Sequence, residues 1–465
     1  MTRRTVVTWL TVLSLLAFAA RIGTILYLKA WAHPSAMEHR SIALQLVHGQ
    51  GFSFGDWGYF GPTSVQSPTF PFLLAGLFKV FGDDSPRAYQ TVMLLNAIAG
   101  AATVWLTYLL ARTLGGTVLT GLLAAAAVAV WPSQVYAGRS VQAIALITCT
   151  LLATIILFYR AVRSGAFAPW LGFSIVGIIA AITEPVFLPA MALSGLLILA
   201  WRNLPWSIRL RNAGVLLFVT FALIGPWTLR NYIVHGRLMP VKGTFWVNLW
   251  KGNNDYATGT DRLALTPEAK ARAKAKGDSF DDDVQDSAHQ YDMLDLSQKA
   301  RLKHQPESVR EDVFKEFALQ WIRNNPKRYL RLCGVRLTKT LTFDWDNPRS
   351  YNTIYIASRF ALLAMTIAGL FVAWRQRWSL GYVGLMAGVA LVTYTLTVTA
   401  ARFSMPFEPI QLCLAAAVIA ALFERGKPKQ RGFEVMHETQ RSTGYQPVVH
   451  VLMHGDGTPS TPTIA

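Results

Sequence analysis

Long runs of apolar residues alternate with short polar joints along most of this chain, and this pattern predicts membrane-spanning helices. A helix needs about 17 to 25 mostly apolar residues to cross a hydrocarbon core about 30 Å thick. The runs that approach this length are Val6–Leu28, Ala88–Ala111, Val118–Pro132, Val141–Phe158, Ala168–Thr183, Pro185–Trp201, Ala213–Trp227, Ile354–Trp374, Leu380–Thr399 and Pro406–Phe423. The sequence therefore predicts an all-α polytopic membrane protein with about ten transmembrane helices.

The positions of the cations predict how these helices are oriented, because Lys and Arg in short joints are retained on the cytoplasmic side. Arg3 and Arg4 place the N-terminus inside. With alternating spans, the later cytoplasmic joints hold Arg112, Arg160, Arg163, Arg202, Arg209, Arg211, Arg375 and Arg377. Segment 168–201 is short for two spans. If Thr183-Glu184-Pro185 is only a kink in one span, every later segment lies on the opposite side.

This topology divides the chain into four parts. They are transmembrane helices 1 to 7 with the outer loop 29–87 (residues 1–230), an extracytoplasmic segment (231–352), transmembrane helices 8 to 10 (353–424) and a polar, disordered cytoplasmic tail (425–465). Helical periodicity predicts interfacial helices in the first outer loop at 38–47 and 72–81. It also predicts a helix from Pro306 to Asn325 and another over Tyr329–Thr342, so the outer segment is expected to be mostly helical.

Composition supports the membrane assignment and narrows the chemistry. Hydrophobic residues make up 52% of the chain, and the mean hydropathy is +0.31. The net charge of +18 reflects largely the cytoplasmic cations, so nucleic-acid binding is not predicted. Neither the three Cys nor the nine His have metal-ligand spacing. No cofactor is expected, and a divalent metal is left open.

A polar motif follows the seventh apolar run, which is predicted to stop at Pro226-Trp227. Arg230 and Asn231 come next, and Lys251, Asn253 and Asn254 follow in the outer segment. Together with Gly236-Arg237, these residues resemble the PWxxRN…GR…NxxxGN pattern of bacterial polyprenyl-phosphate-sugar glycosyltransferases of the GT-C superfamily. Protein mannosyltransferases (glycosyltransferase family 39) and aminoarabinose transferases are similar. The run Ala401–Pro409 resembles a second element of that family, R-Y-x-x-P-x-x-P.

The resemblance implies a membrane transferase that moves a hexosyl or pentosyl group from a polyprenyl-phosphate donor to an extracytoplasmic glycan, glycolipid or protein. It implies a bacterial-type inner or plasma membrane, with the active face outside. Glu38 is the nearest carboxylate to the family's general base, which an acceptor hydroxyl needs to lose its proton. The residues predicted to bind the lipid phosphate and substrate are Arg21, Arg230, Asn231, Lys251, Asn253, Asn254 and Arg402.

Three polar residues depart from the family pattern. Ser35, Gln66 and Gln142 stand where the family has acidic or basic groups. These substitutions keep open the alternative of a noncatalytic polyprenyl-lipid-binding envelope protein. The ionisable residues Arg21, Glu184 and Glu408 keep open a lipid or solute transporter. A charge at membrane depth usually has a partner. Arg21 is therefore expected to pair with Glu184 or Glu408, if it does not reach lipid phosphate, and Glu408 is expected to pair with a cation.

Overall fold

The computed structural model describes residues 1–34, 36–202, 204–262, 291, 294–347 and 350–423. Ser35 and the predicted tail 425–465 lie outside these residues. So does most of 263–293, and the prediction of a mostly helical outer segment is therefore tested only in part.

Helices make up most of the described chain. Those that precede the outer segment are α1 (Arg3–Leu28), α2 (Met37–Val47), α3 (Thr69–Phe81), α4 (Pro86–Leu114), α5 (Val118–Val130), α6 (Pro132–Ala137), α7 (Ile144–Ser164), α8 (Phe167–Thr183), α9 (Leu188–Ala200) and α10 (Trp206–His235). Those that follow are α11 (Phe245–Gly252), α12 (Leu296–Leu302), α13 (Glu307–Asn324), α14 (Pro326–Leu341), α15 (Thr353–Arg375), α16 (Gly381–Leu396) and α17 (Glu408–Phe423). All ten predicted spans and both interfacial segments fall on helices.

Length and apolar character single out six membrane-spanning candidates among the described residues. They are Arg3–Leu28, Pro86–Leu114, Ile144–Ser164, Trp206–His235, Thr353–Arg375 and Ala401–Phe423. Five further apolar helices are shorter, at 10–17 residues. Large apolar side chains also remain exposed on the long helices, among them Phe218 at 73% and Ile233 at 74%. Exposed apolar surface of this kind is typical of contact with lipid, so the fold supports a polytopic membrane protein.

Helix α10 corrects one prediction. The apolar run was expected to end at Pro226-Trp227, but Pro226 lies inside the helix, which continues to His235. Trp227 Nε1 donates to the carbonyl of Val241 at 2.9 Å, an anchor that holds the helix in place beyond the proline. The helix ends at Gly236, whose φ of 66° is the left-handed conformation that glycine adopts most easily.

A short β-hairpin in the first outer loop was not predicted. Strands β1 (Ser53–Asp56) and β2 (Tyr59–Pro62) pair antiparallel, with Asp56 opposite Tyr59. The two turn residues, Trp57 and Gly58, both have positive φ, 56° and 72°. This geometry usually carries Asn-Gly or Asp-Gly, so Trp-Gly gave no hairpin signal. His304 N donates to the Trp57 carbonyl at 2.7 Å and secures the turn.

The chain between α8 and α9 breaks where the sequence left one or two spans open. Helix α8 ends at Thr183, Glu184 has extended backbone (φ −131°, ψ 99°), and Pro185–Phe187 forms a 3-10 turn before α9 begins. The proline lacks a backbone N–H and restricts the preceding residue to extended conformations. Segment 168–201 therefore consists of two helices with a break at Glu184.

The outer segment packs around its own small apolar core, and a buried carboxylate joins two of its helices. Leu249, Trp250, Phe314, Phe317 and Leu302 from α11, α12 and α13 are buried together. The first backbone N–H groups of α11, at Trp246 and Val247, donate to the Glu311 carboxylate of α13 at 2.9 and 3.3 Å. A carboxylate at a helix N-terminus satisfies unpaired donors and complements the helix dipole.

A buried ion pair joins the last two long helices. Arg359 of α15 contacts Glu408 of α17 at 3.0 Å, and both side chains are at most 2% exposed. Ser133 and Gln134 also donate to this carboxylate. The prediction that Glu408 pairs with a cation is confirmed, and the partner is Arg359.

Candidate functional site

One cavity of about 870 Å³ is lined by ionisable side chains from both outer loops and from the helix ends beside them. Its walls come from α2, the β-hairpin, the start of α7, the α8–α9 break, α11, the first turns of α13, and the end of α16 with the turn that follows. The ionisable side chains on the walls are Glu38, His39, Asp56, Glu184, Lys242, Lys251, Asp261, Tyr291, Glu307, Arg310, Glu311, Tyr394 and Arg402. Segments far apart in sequence thus meet at a single polar site.

Glu38 lies on this wall, in the first turn of α2. Its Oε2 accepts a hydrogen bond from Gln66 Nε2 at 3.3 Å. Burial raises the pKa of Glu38, but a backbone hydrogen bond and the nearby Lys251, His39 and Arg402 outweigh it and hold the pKa below its ordinary value. Glu38 is therefore a carboxylate at neutral pH, the form that can accept a proton.

Three cations face the same space. Lys251 is at the end of α11, Arg402 is in the 3-10 turn Ala401–Phe403 ahead of α17, and Lys242 precedes α11. Burial lowers the pKa of Lys251, but Tyr291, Asp261 and Glu38 raise it above its ordinary value, so the ammonium stays charged. Arg402 and Lys242 make no hydrogen bond or ion pair with any residue that the structure describes. Such cations are suited to binding an anion.

Three other carboxylates at the cavity wall already have partners. Glu307 accepts from the backbone N–H of Ser64 at 3.0 Å and from the Thr63 hydroxyl. Glu311 caps α11, and burial raises its pKa to about 8. Asp56 faces Arg310 at 3.8 Å. These groups position the outer segment. Glu38, Glu184 and Asp261 also line the cavity, and Glu38 is the one that the sequence predicts as the base.

His39, next to Glu38 on α2, also faces the cavity. Burial and the charge of Lys242 lower the pKa of His39 to about 4, so the ring is neutral at pH 7. Its Nδ1 is buried without a hydrogen-bond partner among the described residues. Gln66 and Gln142, which replace ionisable groups of the family pattern, line the cavity as well. The structure thus brings Glu38, Lys251, Arg402 and these two glutamines together.

Arg230 and Asn231 lie outside the cavity wall. Arg230 donates to the carbonyls of Phe52 at 2.8 Å and Thr63 at 2.6 Å. Asn231 is 0% exposed and donates to the Met239 carbonyl at 2.9 Å. Both side chains hold the first outer loop and the chain after α10 against the end of that helix.

The two asparagines after α11 are also used within the fold. Asn253 donates to the Leu249 carbonyl at 2.7 Å and accepts from Arg336 at 3.2 Å. Asn254 donates to the Trp250 carbonyl at 3.0 Å. Their amides lie at the end of α11, directly after Lys251 in the last turn, which lines the cavity. Neither asparagine lines the cavity.

Arg21 is buried away from the cavity and from both predicted partners. It is 1% exposed and donates to the carbonyls of Ala17 at 2.9 Å and Ala129 at 3.3 Å. It approaches the backbone so closely that a Cβ at Gly100 would lie 2.1 Å from its Nε. The expected ion pair with Glu184 or Glu408 is not formed: Arg21 Nη1 donates to two backbone carbonyls, and Glu408 pairs with Arg359.

Lys242 and Tyr394 are cavity residues that sequence reasoning missed, and Glu184 appeared there only as a pairing candidate. Lys242 stands in an irregular segment without periodicity, and Tyr394 lies in an apolar run, so neither position carried a signal. Among the residues that the structure describes, no group of three or more His, Cys, Asp or Glu is placed to hold a metal ion. The need for a cofactor stays untested.

These features define a polytopic membrane protein with a polar cavity that holds one candidate base and several cations. The model of the dolichyl-phosphate-mannose-protein mannosyltransferase family matches residues 65–228. That match confirms the resemblance to the GT-C glycosyltransferases over that part of the chain. No curated protein sequence matches the chain.

Solved structures show distant similarity. The oligosaccharyltransferase from Archaeoglobus fulgidus in the apo form is 12% identical, covers 96% of this chain and 53% of its own, and has a TM-score of 0.48. AglB from the same organism, in complex with an inhibitory peptide and a dolichol-phosphate, is 12% identical. The match covers 95% of this chain and 52% of AglB, with a TM-score of 0.46. ArnT from Cupriavidus metallidurans bound to undecaprenyl phosphate is 11% identical. The match covers 91% of this chain and 79% of ArnT, with a TM-score of 0.39. The chain spans about half the length of the oligosaccharyltransferase chains it matches.

Proposed function

We propose that this protein is a membrane glycosyltransferase that moves a sugar from a polyprenyl-phosphate donor to an extracytoplasmic glycan, glycolipid or protein. The observation that carries the proposal is the convergence of Glu38, Lys251 and Arg402 on one cavity. A carboxylate beside several cations suits a reaction in which an acceptor loses a proton and a phosphate departs with added negative charge. The family match over residues 65–228 supports the same reaction class.

In the proposed reaction, the acceptor oxygen or nitrogen attacks the anomeric carbon of the sugar. The bond from that carbon to the phosphate oxygen breaks, and direct displacement inverts the configuration. The acceptor proton passes to the Glu38 carboxylate. Polyprenyl phosphate leaves, and Lys242, Lys251 and Arg402 stabilise the charge on its oxygens. Arg230, Asn231, Asn253, Asn254 and Arg21 take no direct part, because their side chains bind carbonyls within the fold.

We further propose ten spans, with both termini cytoplasmic and the cavity on the outer face of a bacterial-type inner or plasma membrane. The divisions at residues 230, 352 and 424 follow from that topology. Six long helices and the positions of the short-joint cations support it.

A noncatalytic polyprenyl-lipid-binding protein is the second candidate, because Gln66 and Gln142 face the cavity where the resemblance leads one to expect ionisable groups. A transporter is less well supported. Arg21, Glu184 and Glu408 are the ionisable residues that suggested it. Two of them have partners within the fold, since Arg21 donates to carbonyl groups and Glu408 pairs with Arg359.

The test is transfer of labelled sugar from a mixed pool of polyprenyl-phosphate sugars by the purified protein in lipid. We expect Glu38→Gln to lower the rate by about 10²- to 10⁴-fold, the usual effect of losing a general base. Glu316→Gln, which removes a carboxylate on the exposed face of α13, is the matched control. If Glu38→Gln retains full rate, Glu38 is not the base. If the wild type binds the lipids without transferring sugar, the noncatalytic candidate replaces the enzyme.

A further inference from the structure

Glu184 places a carboxylate at the cavity wall in the middle of an apolar part of the chain. Helices α8 and α9 flank it, and both are apolar over most of their length. The extended backbone at Glu184 and the 3-10 turn that follows interrupt the helical path there, and Glu184 lines the cavity together with Thr183 and Pro185.

This carboxylate makes no hydrogen bond or ion pair with any of the residues that the structure describes. The Arg402 side chain, in the 3-10 turn Ala401–Phe403, likewise makes no hydrogen bond or ion pair with a described residue. Glu184, Tyr394 and Arg402 line the same cavity, and the acid and the base form no ion pair with each other. Both side chains are partly exposed at the cavity wall, where a ligand can reach them. The separation of Glu184 and Arg402 therefore fits a ligand that carries an anion at one end and hydrogen-bond donors at the other.

We propose that Glu184 is a specificity-determining residue that accepts hydrogen bonds from the sugar of the donor lipid. This assignment rests on the proposed function. With the lipid phosphate at Arg402, the sugar attached to that phosphate is the nearest part of the ligand that carries donors. A carboxylate there selects hydroxyl or ammonium groups, and it binds nothing on a polyprenyl phosphate without sugar.

The distinguishing experiment compares two lipids that differ only by the sugar. Binding of undecaprenyl phosphate and of undecaprenyl phosphate glucose is measured on the full-length protein in nanodiscs, for the wild type, Glu184→Ala and Glu184→Gln. We expect Glu184→Ala to lower the affinity for the sugar-bearing lipid by about 10- to 100-fold, the range for hydrogen bonds to a charged group. Affinity for undecaprenyl phosphate is expected to stay the same or to rise, since a negative charge leaves the site.

The isosteric Glu184→Gln separates the two kinds of donor. Glutamine still accepts from a hydroxyl but gives up the charge that attracts an ammonium. A polyprenyl phosphate carrying an amino sugar is the third probe, and a larger loss for that probe than for the glucose lipid indicates an ammonium ligand. If Glu184→Ala does not fold, Glu184→Gln is still expected to weaken binding of the glucose lipid, though by less, because a neutral acceptor makes a weaker hydrogen bond than a carboxylate.

Asp261→Asn is the control, because Asp261 faces the same cavity but acts on Lys251. It is expected to change the affinities of both lipids by the same factor. If Glu184→Ala and Glu184→Gln lower the affinities for both lipids equally, or change neither affinity, Glu184 does not bind the sugar. The proposed function stands in that case. If the wild type binds neither lipid, the proposed function fails and the assignment fails with it.

Discussion

At the scale of single residues, the surroundings of Glu38 determine how transfer should depend on pH. A general base works as the carboxylate, so the rate falls as pH decreases through the pKa of Glu38. Lys251 and Arg402 contribute to holding that pKa below its ordinary value of 4.5. We therefore expect kcat/KM to show no loss from pH 7 down to about pH 5. The acidic limb, the fall in kcat/KM as Glu38 is protonated, lies at lower pH.

Removing the strongest of the cationic neighbours of Glu38 should move that limb. Lys251→Met is expected to shift the acidic limb of kcat/KM to higher pH, since the carboxylate loses a stabilising charge. Lys303→Met removes an exposed lysine outside the cavity and is expected to leave the limb in place. An acidic limb above pH 5 in the wild type would show that another group is being titrated.

Arg230 and Arg402, both predicted phosphate ligands, should behave in opposite ways. Arg230→Gln loses hydrogen bonds to the Phe52 and Thr63 carbonyls, and we expect the free energy of unfolding to fall by about 3 kcal/mol with little change in the Kd for undecaprenyl phosphate. Arg402→Gln should weaken lipid binding and leave stability nearly unchanged. Denaturant titration and lipid binding on the two variants measure both quantities. If Arg230→Gln weakens lipid binding and Arg402→Gln lowers stability instead, Arg230 is the phosphate ligand.

Sequence reasoning named Glu38, Lys251 and Arg402, which line the cavity, but could not separate them from Arg230, Asn231, Asn253 and Asn254, which do not. All seven are polar residues in or beside the same motifs. Which side chain reaches the cavity depends on carbonyl groups that the fold brings close, such as Phe52 to Arg230 and Leu249 to Asn253. Such acceptors are present at every residue, so the motif alone cannot indicate which polar group they satisfy.

At the scale of secondary-structure elements, the end of α11 shows why close backbone contact matters to the site. A Cβ on Gly252 would lie 1.9 Å from the Thr397 carbonyl oxygen. We expect Gly252→Ala to push α11 away from the cavity wall, lowering both the free energy of unfolding and the transfer rate through displacement of Lys251. Gly388→Ala, in the open middle of α16 where no atom lies within 4 Å, should stabilise by up to about 1 kcal/mol instead. Equal stability of the two variants would contradict this contact.

The elements that sequence reasoning located well are those with long apolar periodicity, such as α1 and α15. It missed the end of α10, because a proline inside a helix is normally a terminator and the Trp227 anchor to the Val241 carbonyl is a tertiary contact. It missed the hairpin because Trp57-Gly58 lacks the usual turn residues, and its turn is held by His304 from the distant outer segment. Local pattern carries no information on either contact.

At the scale of the whole molecule, the side of the membrane on which the cavity opens depends on segment 168–201. If α8 and α9 each cross the membrane, Lys303 lies outside and Arg377 lies inside. If the pair crosses only once, both positions are inverted. The break at Glu184 and the cations Arg202, Arg209 and Arg211 after α9 favour two crossings.

Cysteine labelling in intact cells decides between these topologies. We expect Lys303→Cys to react with a membrane-impermeant maleimide from outside, and Arg377→Cys to react only after permeabilisation, since both side chains are exposed. The wild type is the blank for its own three cysteines, none of which is exposed. The opposite labelling pattern would place the cavity on the cytoplasmic face, where soluble nucleotide sugars are available, and would remove one reason for proposing a lipid-linked donor. The sidedness of one polar cavity thus connects the count of spans to the chemistry of the substrate.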